Sequence, residues 1–288
     1  MDSPRASDSL SRHSRALTAA TAVAFFVLAI VLFFGPDLAS SDFAWKVSPF
    51  VVMTIGGWCA GVAGMAGLAA YVWRWSEVSA AMAFAWTFPI GQLLVLAAFA
   101  DRVHVSSGIA WGYLLTLGLG AVAAVVGVVD LIRLRPAWSD DGVPMPRGLR
   151  GLAIAFVVIV GLISAGGFIA GPDGFSARGG IFPEPLSVFT MRAFAAFFGA
   201  LVAGALTATV TRSRAAGLLY TLAGECFIVP ILAAASWHWD AFDLSERPGG
   251  LLYLGLYVVV GVAALVTLLV TRYRPRALAS TETSASTR

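Results

Sequence analysis

Residues 49–73 read PFVVMTIGGWCAGVAGMAGLAAYVW, and residues 185–209 read PLSVFTMRAFAAFFGALVAGALTAT. Each stretch opens on proline and carries threonine at the same offset (Pro49 and Thr54, Pro185 and Thr190), and Arg192 is the only charge in either. An apolar run of about 20 residues is long enough to cross the hydrocarbon core of a bilayer as a helix. Moving outward from this pair, further apolar runs lie near 17–34, 78–100, 108–132, 151–170, 215–236 and 250–271. With 49–73 and 186–210 they make eight expected spans. Strands are excluded as the spanning element, because a membrane barrel alternates polar and apolar residues. The composition agrees: 59% of residues are hydrophobic and 12% charged, against roughly a quarter charged in soluble domains.

The two stretches belong to a longer repeat. Gly35-Pro36-Asp37 follows the first run and Gly171-Pro172-Asp173 the fifth. Leu96-Ala97-Ala98 recurs as Leu232-Ala233-Ala234, and Arg133-Leu134-Arg135-Pro136 as Arg272-Tyr273-Arg274-Pro275. The division is therefore a tail at 1–15, a first four-helix repeat at 16–136, a linker at 137–150, a second repeat at 151–275 and a tail at 276–288. The polar, Ser-rich tails are expected to be disordered. Four helices per repeat return the chain to its starting side, which predicts parallel repeats about an axis along the membrane normal. The first run is longer than a cleaved signal core, and its repeat partner marks it as a retained helix.

With the N-terminus cytoplasmic, 14 basic residues fall on the inner side, against Lys46, Arg102, Arg178 and Arg247 outside. Positive residues prefer the cytoplasmic loops, so both termini are expected there, in a bacterial cytoplasmic membrane. Spread over short loops, these charges set topology and touch anionic head groups; no nucleic acid is expected as a partner. Trp45, Trp111, Trp237 and Trp239 are expected at the outer interface and Trp73, Trp75 and Trp138 at the inner one. Trp58 and Trp86 are read as packing residues. Gly57 and Gly61 have GxxxG spacing, with Gly64 and Gly67 following, and the sixth run carries Ala193, Ala196, Ala200 and Gly204. Small residues let helices approach closely in lipid, which places these two helices near the axis between the repeats.

Charge within a span is the default pointer to function. Arg192 and Glu225 qualify, and their depths differ by about 7 Å on the helical rise. The first repeat has Gly56 and Pro89 in their places, so both are missing together there. The expectation is a hydrogen-bonded pair, either a structural lock between two helices or an outward-facing pocket for a lipid or small anionic ligand. Asp130, three residues before Arg133, is expected to pair with it. The outer loops add Asp101 and His104 after the third run and His238 and Asp240 after the seventh, as secondary candidates for acid–base chemistry. Their spacing matches no metal motif, and none of the three histidines lies within a span, so neither metal nor haem is expected. Cys59 and Cys226 read as small buried hydrophobes.

Phe43-Ala44-Trp45 leading to Pro49 and Thr54, Asp101-Arg102-Val103-His104, and Phe182-Pro183-Glu184-Pro185-Leu186 leading to Thr190 and Arg192 resemble a group of bacterial, actinobacterial-type multi-pass membrane proteins. The resemblance implies the two-repeat architecture and carries no activity with it. Three functional readings stand open: a small transporter with a ligand near Arg192 and Glu225, a non-catalytic membrane subunit or scaffold with a protein partner, and a membrane enzyme working on a lipid or polyprenyl substrate with outer-loop carboxylates. No cofactor is expected.

Overall fold

The computed structural model describes residues 9–138, 145–171 and 180–271. Among them are nine α-helices: α1 (Arg12–Phe34), α2 (Pro36–Asp42), α3 (Pro49–Val72), α4 (Trp75–Ala98), α5 (Gly108–Leu134), α6 (Arg147–Ile169), α7 (Val188–Thr211), α8 (Arg214–Trp237) and α9 (Gly250–Thr271). All but α2 are long and apolar enough to cross a membrane. The chain is an all-α, multi-pass integral membrane protein. With eight crossings, α1 begins and α9 ends at the same face, the one to which the arginine-rich turns belong.

Serines start most of the spans. Ser48, Ser107, Ser187 and Ser213 each precede a helix and accept the N–H of Val51, Ala110, Thr190 and Ala216 respectively. Such a cap satisfies a donor that the first helical turn leaves free. Trp73 and Arg212 end α3 and α7 in the left-handed region, at φ 47° and 54°. Each reverses the chain directly into the next helix, so α3–α4 and α7–α8 are joined by matching tight turns.

Several expectations change here. Helix α1 begins at Arg12, inside the stretch assigned to a disordered tail, because Ser11 caps it and Ser11 and Ser14 both donate to the Asp130 carboxylate on α5. Asp130 is thus taken by serines and makes no ion pair with Arg133. Pro36 starts the short helix α2; its counterparts Pro172 and Asp173 lie outside the described residues, as do 1–8, the centre of the linker and the C-terminal tail.

Helices α3, α4, α7 and α8 form the centre, with 78%, 61%, 67% and 50% of their apolar windows buried. α1 and α5 are 39% and 33% buried, α6 and α9 only 17% and 11%. α1 packs on α3 and α6 on α7; α3 packs on α8 and α7 on α4; α4 packs on α5 and α8 on α9. One pairing lacks its counterpart. α1 also packs on α5, whereas α6 and α9 make no comparable packing.

The glycines of α3 seat α8. A Cβ on Gly57 would lie 2.8 Å from Ile231, one on Gly61 2.7 Å from Phe227, and one on Gly64 2.6 Å from Cys226. On α7, Ala196 faces Gly91 of α4. The small-residue faces of α3 and α7 are therefore used against α8 and α4, not against each other. Between them sits an aromatic core. Trp58 stacks on Phe197 at 4.9 Å and meets Phe194 edge-on at 4.6 Å. Trp86 packs in the core as expected, but Trp45 and Trp75 do not serve the interfaces. Trp45 is 2% exposed, stacks on Phe189 and donates its indole N–H to Thr190 at 3.2 Å. Trp75 is also 2% exposed and stacks on Trp86. Trp111, Trp237 and Trp239 are exposed.

Candidate functional site

Arg192 and Glu225 do not meet. The Arg192 guanidinium donates from Nη1 to the Gly167 carbonyl and from Nη2 to the Ala170 carbonyl, the latter at 2.9 Å. These carbonyls end α6, where no further helical N–H follows to donate to them, and a cation there also complements the negative end of the helix dipole. Ser164 adds a third tie, donating to the Ala195 carbonyl at 2.8 Å. Arg192 is thus the clamp that holds α6 to α7. In the first half Gly56 stands in its place, and a Cβ there would lie 3.1 Å from the Phe33 nitrogen; α1 comes against α3 directly and needs no clamp.

Glu225 points the other way. Its Oε2 lies against Gly261 of α9, 3.9 Å from where a Cβ would be. Its Oε1 is buried and has no hydrogen-bond partner.

Between the separated helices α6 and α9 runs a groove of about 240 Å³, floored by α7 and α8. Leu152, Val160, Gly224, Val260 and Ala264 line it, with Met145 at its foot. Its three hydroxyls are already engaged: Tyr220 donates to the Leu201 carbonyl at 2.8 Å, Thr221 to Gly217 at 2.8 Å and Thr267 to Ala263 at 2.7 Å. The wall offers apolar surface only. In the first half the corresponding space is filled by Phe25 of α1, which is fully buried, meets Phe88 edge-on at 6.0 Å and touches Gly120 of α5. The offset that carries Gly35 to Gly171 carries Phe25 to Gly161, which has no ring and faces Val202 of α7, outside the groove lining.

The loop-end candidates remain apart from this groove. Asp101 and Arg102 form an exposed ion pair at 3.9 Å within the 3-10 turn after α4. His104 is exposed and is held through its backbone N–H to the Ala44 carbonyl. His238 Nε2 approaches the Met53 sulfur at 3.2 Å, and Asp240 is exposed in the turn after α8. Asp243 caps its own turn, accepting from Ser245 and Glu246, and the Ser245 hydroxyl holds its carboxyl below the usual range. Among the described residues no three His, Cys, Asp or Glu side chains gather in a way that could hold a metal ion.

Sequence reasoning missed Glu184. It is largely buried in the loop before α7 and accepts from Ser48, the residue that caps α3. Burial pushes its carboxyl up; the Ser48 hydroxyl and the nearby His238 and Arg247 pull back less strongly. The groove was missed as well, although Phe25 against Gly161 was a readable difference between the two halves. Comparison with protein families, curated proteins and solved structures finds no match to this chain.

Proposed function

We propose that this protein binds the hydrocarbon chain of a membrane lipid in the groove between α6 and α9, and so handles lipid and not a polar solute. The observation that carries the reading is an apolar groove, its hydroxyls all engaged, that faces the bilayer in the second half and is filled by Phe25 in the first. Chemistry favours a hydrocarbon chain: the wall is lined by aliphatic and aromatic side chains, its hydroxyls are engaged, and nothing polar in it is left to orient a solute. The transporter reading with a site at Arg192 and Glu225 loses support, since Arg192 is engaged in clamping α6. The enzyme reading loses support too, because Asp101, Asp240 and Asp243 lie at the opposite ends of the spans from the groove.

The wider setting belongs to the same proposal. The chain sits in a bacterial cytoplasmic membrane with both termini inside, as the distribution of basic residues favours. Its halves are parallel repeats, a reading supported by the matched helix pairings and the matched tight turns.

A second reading has one specific observation in its favour. The partly exposed Glu225 carboxyl, within a span and without a hydrogen bond among the described residues, suits a scaffold whose partner supplies a donor within the membrane. Native mass spectrometry of gently extracted protein separates the two. A retained lipid that is lost in Gly224→Leu supports the groove reading. A retained second protein, lost in Glu225→Leu, supports the scaffold. Bare protein in every preparation refutes tight lipid binding.

A further inference from the structure

We infer that the lipid in the groove carries an anionic phosphate headgroup, held at the groove mouth by Arg147, Arg150 and Arg214. This rests on the reading of the groove as a hydrocarbon-chain site. The three arginines stand at the helix starts beside one end of the groove, next in sequence to residues that line it. Leu149 lines the groove and lies between Arg147 and Arg150 at the start of α6. Gly217 lines it from α8, one turn beyond Arg214. The two helix starts are tied together where the Met145 N–H donates to the Arg212 carbonyl at 3.0 Å, and the Met145 side chain reaches Gly217.

None of the three guanidiniums has a hydrogen bond or ion pair among the described residues; the Nε of Arg150 is buried against the chain, which leaves its terminal nitrogens for a ligand. In the first half Arg12 and Arg135 are likewise without a side-chain partner among the described residues, but Arg15 and Arg74 are engaged. Arg15 donates to the Ala70 carbonyl at 2.8 Å and to Tyr71, and Arg74 pairs with Glu77 at 3.7 Å. A guanidinium fork fits phosphate oxygens two at a time. The dimensions also suit a lipid. From Leu149 to Val160 along α6 is about 16 Å at the helical rise. That is about half of a hydrocarbon core roughly 30 Å thick, the depth of one leaflet. A chain lying in the groove would place its headgroup level with the arginines.

The test uses the purified full chain in neutral detergent. It is titrated with phosphatidylglycerol, with diacylglycerol of the same chains, and with glycerol phosphate, reading bound ligand by native mass spectrometry. Phosphatidylglycerol is expected to bind at least about tenfold more tightly than diacylglycerol, from three arginines each contributing near the membrane surface. Combined Arg147→Gln, Arg150→Gln and Arg214→Gln should bring the two lipids close to equal, and glycerol phosphate should not compete. Equal binding of both lipids, blocked by Gly224→Leu, overturns the headgroup inference and leaves the chain site standing. Binding of neither lipid overturns the chain site and the inference with it. Competition by glycerol phosphate as strong as that of the lipid would assign the arginines to a soluble phosphate and overturn the lipid source.

Discussion

The α1–α5 side of the molecule is closed and the α6–α9 side is open, although the same kinds of helix build both. On the closed side Phe25 wedges between α1, α4 and α5, Gly56 lets α1 sit directly on α3, and Arg15, Arg74 and Asp130 all have partners within the chain. On the open side Gly161 replaces the ring, Arg192 replaces the glycine, and Arg147, Arg150 and Arg214 are without partners among the described residues. The difference teaches where to look for a ligand. Unsatisfied groups alone do not mark the place, since the indole N–H groups of Trp58, Trp75 and Trp86 on the closed side also lack hydrogen-bond partners among the described residues; an apolar gap between two outer helices does.

The largest effect should come from opening the closed side. Phe25→Ala removes a fully buried ring and is expected to cost about 3–5 kcal/mol, measured by unfolding in mixed micelles. Gly161→Ala, at the matching place on the open side, has only Val202 nearby and should stay within about 0.5 kcal/mol. Similar losses at both sites would break the comparison.

Next comes the clamp. Arg192→Leu leaves the Gly167 and Ala170 carbonyls without their donor, and should cost roughly 1.5–3 kcal/mol. Because Glu225 faces α9, adding Glu225→Leu should give a sum additive within about 0.5 kcal/mol. Rescue of one substitution by the other would restore the ion-pair reading. Asp130→Ala, which releases Ser11 and Ser14 on the closed side, should cost about 1–2 kcal/mol and fray the start of α1, visible as faster amide exchange there.

The smallest effect is a pH slope. Burial raises the Glu184 carboxyl above its ordinary value of 4.5, so the folded state holds that proton more tightly than the unfolded one. Its contribution is fully present below the ordinary value and is lost as pH rises through the raised folded value. Asp243 acts oppositely: held below its ordinary 3.8, it favours folding above that value and loses this as pH falls. Above pH 4.5 the fall in Tm with rising pH should therefore belong to Glu184, and Glu184→Gln should flatten it. An unchanged slope would assign it elsewhere.

The eight spans were legible because length and hydropathy alone decide them; the serine caps that begin most of them went unread in the sequence. The repeat directed attention to Arg192 and Glu225, but adjacency along a helix pair says nothing about which way a side chain turns. Arg192 turned to carbonyls of α6, and backbone acceptors leave no mark in a sequence. Trp45 and Trp75 went to the core for a related reason, since a ring near a span end can face either lipid or a neighbouring helix. The groove is a property of two helices far apart in sequence failing to pack together, which single-chain patterning does not register.

The central claim is that lipid is held on the open side. A phospholipid with a diazirine on its acyl chain, added to membranes and then chased with unlabelled lipid before irradiation, tests it directly. The account predicts that surviving adducts map to groove residues such as Leu152, Val160 and Ala264, and disappear in Gly224→Leu. Adducts spread evenly over the exposed faces of α1, α5, α6 and α9, or unaffected by that substitution, would contradict it.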